Sequence, residues 1–385
     1  MSKHSDVLVI GAGIIGLTAA WRAALRGLSV TVLDPTPRDG ASMAAAGMLA
    51  AVCEADFGEP ELAAMNVDSA ARWPGFAAQL ESASGVDVGL RRTGTLTLAF
   101  DPDDLAETRR LIDLQHRWGL VSEEISTAQA RRISPLVGRV AGGAWMPDDH
   151  QVDPRATTRA LDAAARAAGA VVVERRAVRL TSASGRVVGA VDAAGVEQTA
   201  DLVVVAAGVS STGLLATAGI HAPLRPVKGI TLRLAAEPWF DVEPVVRARV
   251  QGRAVYAVTR VADESGFREV VIGASSDEKP DDRRVEAGSV FALLRDARAV
   301  LPGIDELDLR EASPRVRPSA PDNLPYLDAS VDGLLVATGH GRNGILLTPL
   351  TGAVVDATLD ETDLPDVVAP AMTNRHTRTL TEEVS

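Results

Sequence analysis

The sequence predicts a mixed α/β fold: a Rossmann-like dinucleotide-binding domain interrupted by an antiparallel-sheet (α+β) domain. Three observations predict it. A glycine-rich turn follows an apolar strand near the N-terminus. Strand-and-helix texture of the same kind returns at about residues 152–208 and again at about 333–359. Between these stretches lie β-type runs and polar helices. An insertion in two pieces accounts for this interleaving better than two consecutive domains.

The first unit opens with Asp6-Val-Leu-Val-Ile10, a short apolar run of buried parallel-strand type. Gly11-Ala-Gly13-Ile14-Ile15-Gly16 follows at once, Leu17 to Arg26 carries a helix, and Leu28 to Leu33 forms the second strand. The three glycines permit a tight turn, close approach of backbone to a pyrophosphate, and close helix–strand packing. The helix N-terminus offers N–H groups and a partial positive charge to phosphates. Asp34 lies 18 residues after Gly16, where an acid accepts from ribose hydroxyls. Such a site serves FAD and NAD alike. Next comes Gly40-Ala41-Ser42-Met43-Ala44-Ala45-Ala46-Gly47-Met48-Leu49, whose small residues let backbone pass close to a flat ring.

From about Val88 to Trp145 the texture changes to a strand-like Thr93–Phe100 and a polar helix from about Asp103 to Trp118. Asp153-Pro154 then reads as a helix start, with Asp at the N-cap and Pro at the first helical position. An Ala-rich helix runs to Ala168, and strands follow at Val171–Glu174 and Asp201–Gly208. Residues from about 222 to 311 hold β-runs at 229–234, 254–260 and 269–273, then a helix over about 287–301. The last α/β piece is Gly333–Thr338, a glycine-rich turn, and a helix from about Leu347 to Leu359. The polar tail from Ala371 onward is expected to be mobile.

Composition narrows the function. The 385 residues are 46% hydrophobic and 23% charged, enough to bury a core. Net charge is −12 and no long basic run occurs, which argues against nucleic-acid binding. The single cysteine, Cys53, excludes a Cys-built metal cluster and points to a reducing compartment. The longest apolar stretch, residues 7–21, is broken by three glycines and is too short to span a membrane. A cytoplasmic protein without membrane contact is expected. The six histidines form no metal pattern, so no metal is expected.

Four segments together carry a family resemblance: Gly11 to Gly16, Ala44-Ala-Ala-Gly-Met-Leu49, Pro226-Val-Lys-Gly229, and Gly339-His340-Gly341-Arg342-Asn343-Gly344-Ile345-Leu346-Leu347. The chain resembles the D-amino-acid oxidase family of FAD-dependent oxidoreductases, and within it the glycine-oxidising branch that serves bacterial thiamine biosynthesis. The resemblance runs to about Thr358.

It implies non-covalent FAD, held by Gly11, Gly13, Ile14, Ile15, Gly16, Asp34 and Pro35 at the phosphates and adenosine. Ala41, Ser42, Ala46, Gly47 and Met48 would lie on the flavin side, and the backbone of Val178 at the adenine. His340, Gly341, Arg342, Asn343, Gly344, Ile345 and Leu346 would wrap the flavin's pyrimidine edge, with a helix start aimed at N1–C2=O. Arg317 is implied as the substrate's carboxylate clamp and Tyr256 as its hydroxyl partner. Arg315 is expected on the opposite side of the segment. Arg342 would accept from the substrate amine through its backbone carbonyl. The FAD-binding domain is expected at 1–87, 150–220 and 313–370, and the substrate domain at 88–149 and 221–312. The implied reaction is oxidative deamination of glycine by O2, giving glyoxylate, ammonia and hydrogen peroxide through an imine usable in thiazole synthesis. Sarcosine or small D-amino-acid oxidation is the alternative, with a dehydrogenase using another acceptor behind it, and a non-catalytic flavin protein is the rival class. A homotetramer is implied as well. Met43, Asp34, Ala254 and Ser276 depart from the family's usual residues; the last two imply a pocket that is either roomier or refilled from elsewhere.

Overall fold

In the computed structural model the residues described are 3–279 and 282–376. The fold is mixed α/β, built on two large sheets. The first has eight strands. Its parallel centre places Lys3–Ile10 between Val30–Leu33 and Glu197–Val205, with Leu334–Thr338 and Val171–Val173 beyond them. Both faces are covered. Helices Ile14–Ala24, Pro60–Ser84, Pro154–Ala167 and Thr348–Leu359 pack on one face around Val7, Val9, Val32 and Val204. On the other face Leu8, Ile10, Val203 and Val205 pack with Leu180, Leu214 and Leu215. Two-sided burial is why these strands read as continuous apolar runs.

The second sheet has nine strands and is mostly antiparallel. Its centre runs Asp308–Ser319, Arg225–Ala236, Arg268–Gly273, Arg253–Thr259 and Val245–Val250, each hydrogen-bonded to the next. Helix Ala287–Val300 covers one face through Leu293, Ala297 and Val300. On the other face Tyr256, Val258 and Val271 meet Ala46 and Met48. The glycine- and alanine-rich segment therefore lies against this sheet. Strand Asp308–Ser319 runs through the expected boundary at 312/313 and pairs within the antiparallel sheet along its length.

One element is added and one expectation is corrected. The 25-residue helix Pro60–Ser84 is absent from the sequence reading. It carries Pro74 inside and Gly75 beside it, which mask its period. Residues 371–376, expected to be mobile, are docked. Thr373 N donates to Asp328 Oδ2 at 2.8 Å and the Arg375 guanidinium stacks 4.0 Å over the Tyr326 ring. Residues 377–385 lie outside the described part of the chain. Among the described residues, no helix is long and apolar enough to cross a membrane.

Candidate active site

One cavity of about 1130 Å³ lies between the C-terminal ends of the parallel strands and the exposed face of the antiparallel sheet. That is where open α/β sheets bind ligands. Every predicted site residue except Gly16 reaches its wall. Gly16 sits one layer below, because a Cβ there would fall 1.9 Å from the Gly11 carbonyl oxygen. Its part is close packing beneath the turn.

The phosphate end follows from local geometry. Gly11 has φ +110°, and a Cβ there would meet the Ala206 carbonyl oxygen at 2.2 Å. Only glycine fits. The helix at Ile14–Ala24 has no side-chain cap at Gly13, and Ile14 N points to Ser42 Oγ at 3.3 Å. Asp34 accepts from Ala12 N at 2.7 Å and Thr36 N at 2.8 Å, so it also braces the turn it faces. Pro35, Arg176 and the half-exposed Val178 form the far end.

The middle of the wall is two backbone segments. Gly47 has φ +80°, and a side chain there would strike the Val152 carbonyl oxygen at 2.0 Å. Across the cavity, Gly341–Asn343 form a 3-10 turn, and the regular helix begins only at Thr348. Residues 341–346 therefore stand at the N-terminal end of a helical run. His340 is buried, and Nε2 lies 3.0 Å from Thr351 Oγ1. Burial lowers its pKa to about 3, so the ring is neutral. Asn343 is buried and its Nδ2 has no partner among the described residues. The glycine cradle, the wall spanning both sheets and this donor without an acceptor fit an FAD.

At the sheet end, Tyr256 and Arg317 face each other across two intervening strands. Three strand spacings are about 14 Å, so both side chains must lean inward. Glycines let them. A Cβ on Gly273, which pairs with Tyr256, would lie 1.9 Å from the tyrosine ring. A Cβ on Gly229 would lie 2.6 Å from the Arg317 guanidinium. The floor beneath the Arg317 guanidinium and the Tyr256 ring is thus bare backbone. Arg317 Nη1 donates to the Ser275 carbonyl at 3.2 Å, and Arg317 has no ion-pair partner among the described residues. Burial raises the Tyr256 pKa, although Arg317 pulls against it, so the hydroxyl stays protonated.

Arg315 corrects the sequence reading. Residues two apart on a strand share a face, and Arg315 lines the same cavity as Arg317. What separates the two is Asp39, which ion-pairs with Arg315. Arg342 is also committed, to Glu54 and Glu59. Its side chain is therefore occupied, as a backbone role would require.

Sequence reasoning missed Glu54 and Arg247, which lie on the wall and ion-pair with each other. Burial alone would raise the Glu54 carboxyl, but Arg247 and Arg342 outweigh it and hold it at about 2. The available signal was a charge inside a β-run, Val246-Arg247-Ala248. Ala254 and Ser276 also line this end. Cys53 does not, and its thiol lies 3.5 Å from the Thr97 hydroxyl.

The chain is similar to known proteins along nearly its whole length. The glycine oxidase of Geobacillus kaustophilus is 32% identical over 98% of both chains. Its crystal structure superposes with a TM-score of 0.89 over 97% of this chain and 100% of that one. The bifunctional ThiO/ThiG protein of Trichormus variabilis is 30% identical over 91% of this chain and 52% of its own. The DAO family, FAD dependent oxidoreductase, matches residues 6–357. The chain belongs to the FAD-dependent oxidoreductase family.

Proposed function

We propose that this protein oxidatively deaminates glycine at a non-covalently bound FAD. The observation that carries the reading is the Arg317 guanidinium, free of any carboxylate partner among the described residues, facing Tyr256 over a glycine floor. That is a seat for one small carboxylate. Support for glycine comes from the similarity to glycine oxidases.

The parallel sheet and its helices are taken as the FAD module, and the antiparallel sheet as the substrate module. Arg317 holds the substrate carboxylate through its planar fork. The Tyr256 hydroxyl donates a second hydrogen bond. The Arg342 carbonyl accepts from the amine and orients Cα toward the flavin. The amine binds neutral, so no side chain has to remove a proton from Cα. His340 is held by Thr351 and is not placed to do so. The chemistry a bound FAD would supply is that of a hydride acceptor whose electrons pass to O2 as hydrogen peroxide. The imine released hydrolyses to glyoxylate and ammonia or enters thiazole synthesis. Cys53 lies off the wall, so acid-precipitated protein should release its yellow colour into solution. The homotetramer implied by resemblance is checked by light scattering.

The decisive experiment is anaerobic mixing with glycine while following flavin absorbance. Bleaching within seconds is expected. Bleaching by sarcosine or D-alanine but not glycine would move the substrate to the alternative, for which the small residues Ala254 and Ser276 leave room.

A further inference from the structure

Four consecutive carbonyls, Met43 to Ala46, are each held by a side chain from elsewhere in the chain. Arg155 Nε donates to Met43 O at 2.9 Å, and Thr231 Oγ1 donates to Ala44 O at 2.9 Å. Arg233 Nη2 reaches Met43 O at 3.3 Å and Ala45 O at 3.5 Å. Arg260 Nη2 donates to Ala46 O. With the carbonyls drawn to the sheet, the other side of segment 44–48 forms the cavity wall.

The three arginines are not equivalent. Arg155 ion-pairs with Glu311, and Arg233 with Glu269. Arg260 is 8% exposed and has no ion-pair partner among the described residues. Its guanidinium is held by neutral oxygens: Ala46 O, Val152 O at 2.9 Å and Gln151 Oε1 at 3.3 Å. Asp153 and Glu269 lie near enough to temper its charge, while Arg233 and Arg91 add to it. A buried cation without a carboxylate in direct contact is costly. An amide side chain could donate to these oxygens without burying a charge, so fixing the backbone alone does not call for an arginine.

We propose that Arg260 is a positioning residue for FAD, fixing the Ala46-Gly47-Met48 backbone and raising the reduction potential of the bound cofactor with its buried charge. The inference rests on the reading that this segment faces the flavin. Reduction adds negative charge to the ring system, and a cation behind a thin backbone layer in a low-dielectric interior is poorly screened from it.

The test compares Arg260→Met, Arg260→Gln and Arg260→Lys with the wild-type protein, without substrate. Apoprotein is titrated with FAD by fluorescence quenching, and the potential is measured by equilibration with a reference dye. Arg260→Met should bind FAD about tenfold more weakly, the loss of one charge-assisted hydrogen bond. It should also hold the reduced form about tenfold less well relative to the oxidised form, a potential lower by about 30 mV for a two-electron couple. Arg260→Lys should recover the potential and not the full affinity. Should Arg260→Met fail to fold, Arg260→Gln takes its place, keeping donors without charge. A wild-type potential in the neutral variant, or an equally lowered one in Arg260→Lys, overturns the proposal. Glycine takes no part in either readout. Failure of wild-type protein to bleach with glycine would therefore remove the proposed reaction and leave this result standing.

Discussion

Arg315 and Arg317 show how one neighbour decides what an arginine is for. Both face the cavity, but Asp39 takes Arg315, while Arg317 has no ion-pair partner among the described residues and is the one proposed to hold a ligand. Arg317→Ala should therefore weaken glycine binding by about 2–5 kcal/mol, read as the glycine dependence of anaerobic bleaching. FAD content should not change; normal glycine turnover would refute the clamp. The bare floor is equally testable. Gly273→Val would drive a side chain into the Tyr256 ring, since even a Cβ lies 1.9 Å from it. Bleaching by glycine should be lost while the FAD spectrum persists. Acid should unfold the protein through two groups acting in the same direction. His340 is buried neutral with a pKa near 3 against 6.5 in the unfolded chain. Its stabilisation is complete above pH 6.5 and is lost as pH falls toward 3. Glu54, held at about 2 against 4.5, contributes above pH 4.5 and loses that contribution as pH falls through 2. Thermal melts should show Tm falling from pH 6.5 downward; a flat Tm between pH 7 and pH 4 would contradict the His340 assignment.

Among elements, the helices divide into those that were legible and one that was not. Helix Pro154–Ala167 was legible because Asp153 caps it, accepting from Arg155 N at 2.8 Å and Ala156 N at 3.1 Å. Helix Pro60–Ser84 starts with Pro60 and stops at Gly85 but has no side-chain cap, and it buries Leu62, Met65, Trp73 and Leu80 between helix neighbours. It nevertheless reaches the site, because Trp73 Nε1 and Ser69 Oγ both donate to the Leu346 carbonyl, at 3.0 and 2.7 Å. Trp73→Ala should cost about 3–5 kcal/mol of stability, and looser FAD binding should accompany the lower Tm. Strand pairing explains what the sequence left hidden in the site. Tyr256 and Arg317 were visible through motif resemblance. The Gly229 and Gly273 floor, and the Arg155, Arg233 and Arg260 supports, depend on cross-strand register, which is a property of the assembled sheet. Neighbours along the chain do not reveal it.

At the scale of the whole molecule, charge is distributed against the average. The chain carries −12, yet seven arginines and four carboxylates line the cavity. A cleft of that sign draws anionic ligands inward. The association rate of an anionic competitor such as acetate, whose carboxylate would face Arg317 on the proposed reading, should fall as salt is raised from 10 mM to 0.5 M. A rate independent of salt would show that the clamp acts only at contact range. One small link joins the two modules at this place. Ser319 and His340 form an isolated antiparallel bridge between the strand that carries Arg317 and the turn that carries Arg342. The proposed carboxylate clamp and the proposed amine-accepting carbonyl are thus tied at a fixed span. Such a site is a gauge of chain length. A β-amino acid, gripped by the same carboxylate, would carry its amine-bearing carbon one bond farther out, about 1.5 Å, and overshoot. On the proposed roles, the fold would measure where on a substrate the nitrogen sits before any oxidation can begin.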